Sequence, residues 1–152
     1  MVIRQAQATD VEVILAILSE VACQVPVKLH TSERVEKMKE QINRECLNDV
    51  SLVAVNENGV VVGFQLAERR VIEGHRCPDE PYIFLTYAGV TAAAVCRKVF
   101  RRLIETEKRY GLPLVTEVKA NNKSHMAARL MHYNFRDHTS ADHIGNYRWD
   151  PE

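Results

Sequence analysis

Residues 82–118 constrain the fold of this chain more than any other stretch. "YIFLTYAGV" (82–90) is an apolar run of strand length, rich in aromatic and β-branched residues. "VFRRLIETEKRYG" (99–111) repeats apolar positions at helical spacing, and "LPLVTEVKA" (112–120) is a second strand with Leu114 and Val118 among its apolar positions. Two strands joined through a helix become parallel neighbours, with the helix crossing one face of the sheet. Upstream, "SLVAV", "NENG" and "VVVGFQLAERR" read as a hairpin turned at Asn58-Gly59, and a hairpin pairs its strands antiparallel. A sheet holding both kinds of pair is mixed, with helices on its faces.

The remaining elements extend this order. "MVIRQA" is a short opening strand. Thr9 with Glu12 reads as a capping box ahead of a helix over about 10–23, with Val11, Ile14, Leu15, Leu18 and Val21 on its apolar face. Pro26 breaks the loop "CQVPVKLHTS". Thr31 or Ser32 caps a second helix with Val35, Met38, Ile42 and Cys46 on one face and charges on the other. The helix after "YIFLTYAGV" is expected to start near residue 94, to bury Val95, Val99, Phe100, Leu103 and Ile104, and to stop at Gly111. A last helix covers about 123–132, and "YNFRDH" and "GNYRWD" are two final strands joined by a polar loop.

The chain of 152 residues is long enough for one domain with a real core, and no linker divides 1–152. Its 20 basic and 20 acidic residues cancel, so bulk charge gives no reason to expect nucleic acid or an anionic membrane as partner. No window is apolar enough for a membrane span, and the N-terminus lacks the apolar core of a secretory signal. Cys23, Cys46, Cys77 and Cys96 form no CxxC pair and read as reduced thiols of a cytoplasmic protein. His75, Cys77, Asp79 and Glu80 in "EGHRCPDEP" are metal-capable but lack zinc spacing, so no metal is expected. His125 and His132 share a helix face, and His138 and His143 flank a polar loop, none with a partner at catalytic spacing.

This order of elements, with three local patterns, resembles the GNAT-type N-acetyltransferases over nearly the whole chain. "VIRQAQATDVEVILAIL" is similar to the family's opening strand and helix. "LVAVNENGVVVGFQLAE" is similar to its central hairpin. "VKANNKSHMAARLMHYNF" is similar to its late strand–Asn–helix–Gly-Phe pattern, with Asn122 four residues after Val118 and Asn134 in place of the Gly before Phe135. The resemblance implies an α/β (α+β) fold with a mixed, mostly antiparallel sheet of six to seven strands and helices on both faces. It implies acetyl-CoA as co-substrate, lying between the fourth and fifth strands, and an amine acceptor that attacks the thioester directly.

The family's pyrophosphate loop, Arg/Gln-x-x-Gly-x-Gly/Ala, falls on Val95, Cys96, Arg97, Lys98, Val99 and Phe100, with the spacing kept and both glycines replaced. Backbone N–H groups at a strand-to-helix junction bind phosphate whatever the side chains are, and Arg97, Lys98, Arg101 and Arg102 add positive charge. The other reading is an ordinary turn into an amphipathic helix. Among implied roles, an amide of Ala88, Gly89 or Val90 steadies the oxyanion. Tyr133 or Ser124 donates a proton, although Tyr133 equally suits a core position and Ser124 a helix cap. Glu117, with Glu68 beside it, is the candidate base, and Asn122 holds the cofactor's pantetheine arm or the helix start beside it. The function that follows is an acyl-CoA-dependent N-acyltransferase acting on an amine of a small molecule or protein. The alternative is a GNAT-shaped binding or oligomerising module that has lost acetyl-CoA use; a homodimer fits either. The loops around 24–32 and 72–81 would choose the acceptor.

Overall fold

A computed structural model describes residues 1–25, 27–72, 80–138 and 145–152, with residues 72 and 95–97 as backbone alone. The chain runs β1 (Val2–Gln5), α1 (Val11–Val21), α2 (Ser32–Cys46), β2 (Leu52–Val55), β3 (Val61–Ile72) and β4 (Glu80–Val90). A 3-10 turn (Ala92–Arg97) then leads into α3 (Val99–Lys108), β5 (Leu114–Glu117), α4 (Met126–His132), β6 (Arg136–Asp137) and β7 (Asn146–Trp149). The strands form one seven-stranded sheet in the order β1-β2-β3-β4-β5-β7-β6. Its pairs are antiparallel except β4 with β5, which is parallel, as the strand–helix–strand reading requires.

Helices cover both faces. Ile14, Ile17 and Leu18 of α1 and Ile42 of α2 pack with Val53, Phe64 and Leu66 on one side. Phe100 and Ile104 of α3 and Leu130 of α4 pack with Ile83, Leu85 and Leu114 on the other. Alternation along the strands sends neighbouring residues to opposite faces, so each strand feeds two cores. Gly89 shows how tightly this face is packed, since a Cβ there would stand 2.7 Å from the Phe64 ring of β3 and 3.2 Å from the Ile17 side chain of α1.

Several local readings change. The opening of α1 is not capped by Thr9. Asp10 takes over this corner: its carboxylate accepts two bonds from the Arg4 guanidinium, at 2.7 and 2.8 Å, and one from the Gln7 N–H at 2.8 Å. The Arg4 fork holds the Asp10 carboxyl below the usual range and ties β1 to the helix start. The α-helix after β4 begins at Val99 rather than near 94, because a 3-10 turn occupies Ala92–Arg97 and Lys98 takes a left-handed conformation, φ 57°. Among the residues expected in its core, Val99, Phe100, Leu103 and Ile104 are buried, and the side chain of Val95 lies outside those described. The metal-capable loop residues 75–79 and the polar loop around His143 also fall outside the described residues. Asn134, at φ 65°, adopts the conformation for which a Gly would be expected, and the Phe135 N–H closes onto Leu130 C=O at 3.0 Å. Asn tolerates this region better than most side chains.

Glu107 on α3 is fully buried, and neither carboxylate oxygen has a hydrogen-bond partner among the described residues. Burial pushes its pKa from 4.5 up to about 9, with Arg69 opposing the rise and Asp49 adding to it. The folded value lies above the unfolded one. The contribution to stability is therefore whole below about pH 4.5 and is lost progressively as pH rises towards 9. At pH 7 the loss amounts to about 3 kcal/mol. Glu107→Gln, neutral in both states, should melt at the wild-type temperature at pH 4 and several degrees higher at pH 7 to 8, read by circular dichroism.

Candidate functional site: the gap between β4 and β5

The parallel pair is short. Ile83, Phe84 and Leu85 face Leu114, Val115 and Thr116, and there the ladder ends, although β4 continues to Val90. Two features part the strands. In β4 the register against β3 slips, so that Leu66 faces Tyr87 but Ala67 faces Leu85, leaving Thr86 as a bulged residue. A bulge bends and twists its strand. In β5, Glu117 stays with Asn146 of β7, and the Val118 N–H bonds Gly145 C=O at 2.8 Å. Gly145 has φ 81°, and a Cβ there would lie 2.1 Å from the Val118 oxygen, so glycine is required for β7 to hold β5 on its own side.

Beyond the bulge the backbone polarity of β4 can be counted. Thr91 N–H bonds Val62 C=O at 3.0 Å. Main-chain groups alternate between the two edges of a strand, so Gly89 also faces β3 while Ala88 and Val90 turn theirs into the gap. Of the three backbone candidates, two therefore present an amide to the opening and Gly89 does not.

Two cavities meet at this parting, each lined from the α1 side and from the α3–α4 side of the sheet. One, about 280 Å³, runs from Leu18 and Gln41 on the α1–α2 side, past Thr86, Tyr87 and Ala88, to Glu117 and Asn122. The other, about 480 Å³, lies between the C-terminal half of β4, the end of α1 and the start of α4. Both touch Val25, Ala88, Phe100 and Met126, so the gap joins them through the sheet.

The expected site residues separate into groups. Glu117 is exposed at the end of β5 and lines the first cavity. Glu68 lines it too, but its carboxylate is held by Arg70 at 2.9 and 3.0 Å. Asn122 lines the same cavity; its side-chain oxygen accepts from the Ser124 N–H at 2.9 Å and from the Ser124 hydroxyl. It thus folds the turn before α4 and leaves its amide nitrogen for other partners. Ser124 is not the helix cap, since α4 starts at Met126 behind a left-handed His125, and its hydroxyl is committed to Asn122. Tyr133 lines neither cavity. It follows α4, half-buried, with its ring 5.8 Å from Phe100 and packed against the α3–α4 core, and Lys108 Nζ bonds its C=O at 2.9 Å. Val95, Cys96, Arg97, Lys98, Val99 and Phe100 form the turn into α3, with Lys98 exposed and Val99 and Phe100 buried. The first α-helical bond is Arg102 N–H to Lys98 C=O, 3.1 Å, so the amides just ahead of it point out of the helix start.

A group on the α2 side escaped the sequence reading. Glu45 is 2% exposed. Gln41 Nε2 donates to it at 2.8 Å, and the Thr86 hydroxyl makes a short hydrogen bond to its other oxygen. Burial raises the pKa of Glu45, while those two bonds oppose the rise. Gln41 also bonds the Tyr87 hydroxyl, whose pKa is raised by burial and by Glu45. Two consecutive β4 residues, Thr86 and Tyr87, meet the same helix because the bulge cancels one step of alternation. The available signal was a Thr-Tyr pair inside an otherwise apolar strand, and a Glu next to the apolar stripe of α2 rather than opposite it.

No family model matches the chain, and no curated protein matches it. Solved structures do. It resembles a histone acetyltransferase HPA2 and related acetyltransferase from Corynebacterium glutamicum, with TM-score 0.68, 17% identity, and 99% of this chain and 96% of that one covered. It resembles the Drosophila melanogaster polyamine N-acetyltransferase that forms N-acetylagmatine, with TM-score 0.68, 14% identity, and coverage of 98% and 99%. It also resembles the Bacillus subtilis N-acetyltransferase YlbP in complex with coenzyme A, with TM-score 0.61, 15% identity, and coverage of 99% and 96%. The chain has the fold of the GNAT N-acetyltransferases.

Left-handed geometry at Lys98 costs a non-glycine residue about 1 kcal/mol or more. Lys98→Gly should therefore hold or raise the melting temperature, by thermal unfolding, whereas a glycine inside a helix would lower it.

Proposed function

We propose that the chain is an acyl-CoA-dependent N-acyltransferase that moves acetyl from acetyl-CoA to a primary amine by direct attack, working in the cytoplasm. The observation that carries this reading is the parting of β4 from β5 after Leu85 and Thr116, with the amides of Ala88 and Val90 turned away from β3 into a gap that two cavities reach. That strand edge fits the amide-bearing pantetheine arm, which pairs as another strand would. At the other end, the amides ahead of Arg102 and the charges of Lys98, Arg101 and Arg102 fit a diphosphate, with a left-handed Lys98 supplying the turn that a glycine would otherwise make.

Acetyl-CoA supplies an acyl group already activated as a thioester. The chain's own residues supply the rest. The Ala88 N–H donates to the thioester oxygen as it gains charge. Glu117, on the cavity wall, accepts the proton that the amine loses as its N–C bond forms. Tyr87 donates its hydroxyl proton to the sulfur as the C–S bond breaks, a role for which burial keeps it protonated. Tyr87 stands here in place of Tyr133, whose ring packs against the α3–α4 core. Asn122 holds the β5–α4 turn and offers its amide nitrogen to the pantetheine arm.

Isothermal titration should show CoA and acetyl-CoA binding, and release of CoA thiol from acetyl-CoA should depend on an added primary amine. No binding of CoA at any salt concentration would remove the enzyme reading and leave a binding module. Tyr87→Phe should bind CoA like the wild type and lower turnover on the order of 100-fold. Asn122→Ala should weaken CoA binding about fivefold, the loss of one hydrogen bond, checked by the same titration.

A further inference from the structure

We propose that Glu20 is an internal competitor for the anionic part of the cofactor, a carboxylate that must leave its amide before CoA can seat; the inference rests on the acyltransferase reading above. Glu20 Oε1 accepts the Ala92 N–H at 2.7 Å. Ala92 follows β4, and its amide is the first beyond the sheet, since Thr91 N–H is bonded to Val62 C=O. The carboxylate and this amide both line the cavity between the end of β4 and the start of α4, together with Phe100, Ser124 and Arg129.

The position of Glu20 is electrostatically unfavourable in one respect. It stands in the last turn of α1, which carries no basic residue, where the negative end of the helix dipole repels a carboxylate. The bond to Ala92 compensates. A diphosphate entering the cavity carries more charge than the carboxylate, competes for the same amide and repels Glu20 across a short distance. Just beyond, Gln24 C=O accepts the Lys123 N–H at 2.7 Å, so the last turn of α1 is fixed to one lip of the gap at Ala92 and the stretch after it to the other at Lys123. Displacing Glu20 frees the β4 lip while Gln24 still holds the other. A ligand without a diphosphate has no means of displacing it.

The test is titration calorimetry of the full chain with CoA and, separately, with pantetheine, which lacks the diphosphate. Glu20→Ala should bind CoA about five- to tenfold more tightly than the wild type, the gain expected when one charged hydrogen bond no longer has to be broken. Pantetheine should bind both proteins equally. Glu20→Gln keeps an acceptor oxygen without the charge and should fall between, which preserves the test should the alanine variant fold poorly. Equal CoA affinity in wild type and both variants would overturn the role of Glu20 while leaving the acyltransferase reading in place. So would an equal gain for CoA and pantetheine, which would make the contact a mechanical latch. Absence of CoA binding in all three proteins would overturn both readings together.

Discussion

The parting of β4 from β5 is the constraint on which the rest of this structure depends. Up to Leu85 and Thr116 the strands share a parallel ladder, and the Thr116 hydroxyl even adds a bond to Leu85 C=O at 3.0 Å. Past that point each strand has a stronger commitment elsewhere. β4 keeps its long antiparallel pairing with β3, and β5 follows β7 through Val118 and Gly145. A buried strand edge with unpaired amides is costly, which is why such edges are rare outside binding sites. Here the cost is met by the two cavities that meet at the gap, where solvent or a ligand can reach Ala88 and Val90.

The bulge at Thr86 links this opening to the chemistry beside it. Without it, Thr86 and Tyr87 would point to opposite faces. With it, both reach α2 and join Gln41 and Glu45 in one buried polar network. Every group in that network has a partner, so its burial is sustainable. Glu107 is the contrasting case. It lies on the other face, equally buried, with no hydrogen-bond partner among the described residues, and burial is the main cause that raises its pKa. The two buried carboxyls differ in their bonding: Glu45 joins Gln41 and Thr86, whereas Glu107 has no hydrogen-bond partner among the described residues.

The turn between β4 and α3 makes a left-handed step without a glycine. Lys98 holds φ at 57°, the conformation for which glycine is the natural choice. The neighbouring Val99 and Phe100 are drawn into the core, Val99 beneath Gly63, where a Cβ would come within 2.8 Å of the valine methyl. The small residue needed for close packing sits on the strand rather than in the loop.

The sequence by itself determined the order of elements, because periodicity and turn residues are local properties. The two hairpin strands, the strand–helix–strand unit and most of the apolar positions of α1 to α3 were legible, although α3 starts at Val99 rather than near 94 and Ile17 joins the buried face of α1. The position of Glu117 at the end of β5 and of Asn122 in the turn after it was legible too, but not which face of the strand meets the cavity. What only the tertiary structure decided involves two elements at once. Glu45 lies a few residues from the apolar stripe of α2, and nothing local says that Thr86 will meet it. Tyr133 was the aromatic the sequence offered for the cleft, yet it packs on Phe100, and Tyr87, which the sequence did not single out, lines the opening. The choice rests on a bulge, and a bulge is a mismatch in pairing between two strands, invisible in either alone. The same holds for Glu20 and Ala92, separated by most of the sheet in sequence and joined by one hydrogen bond in space.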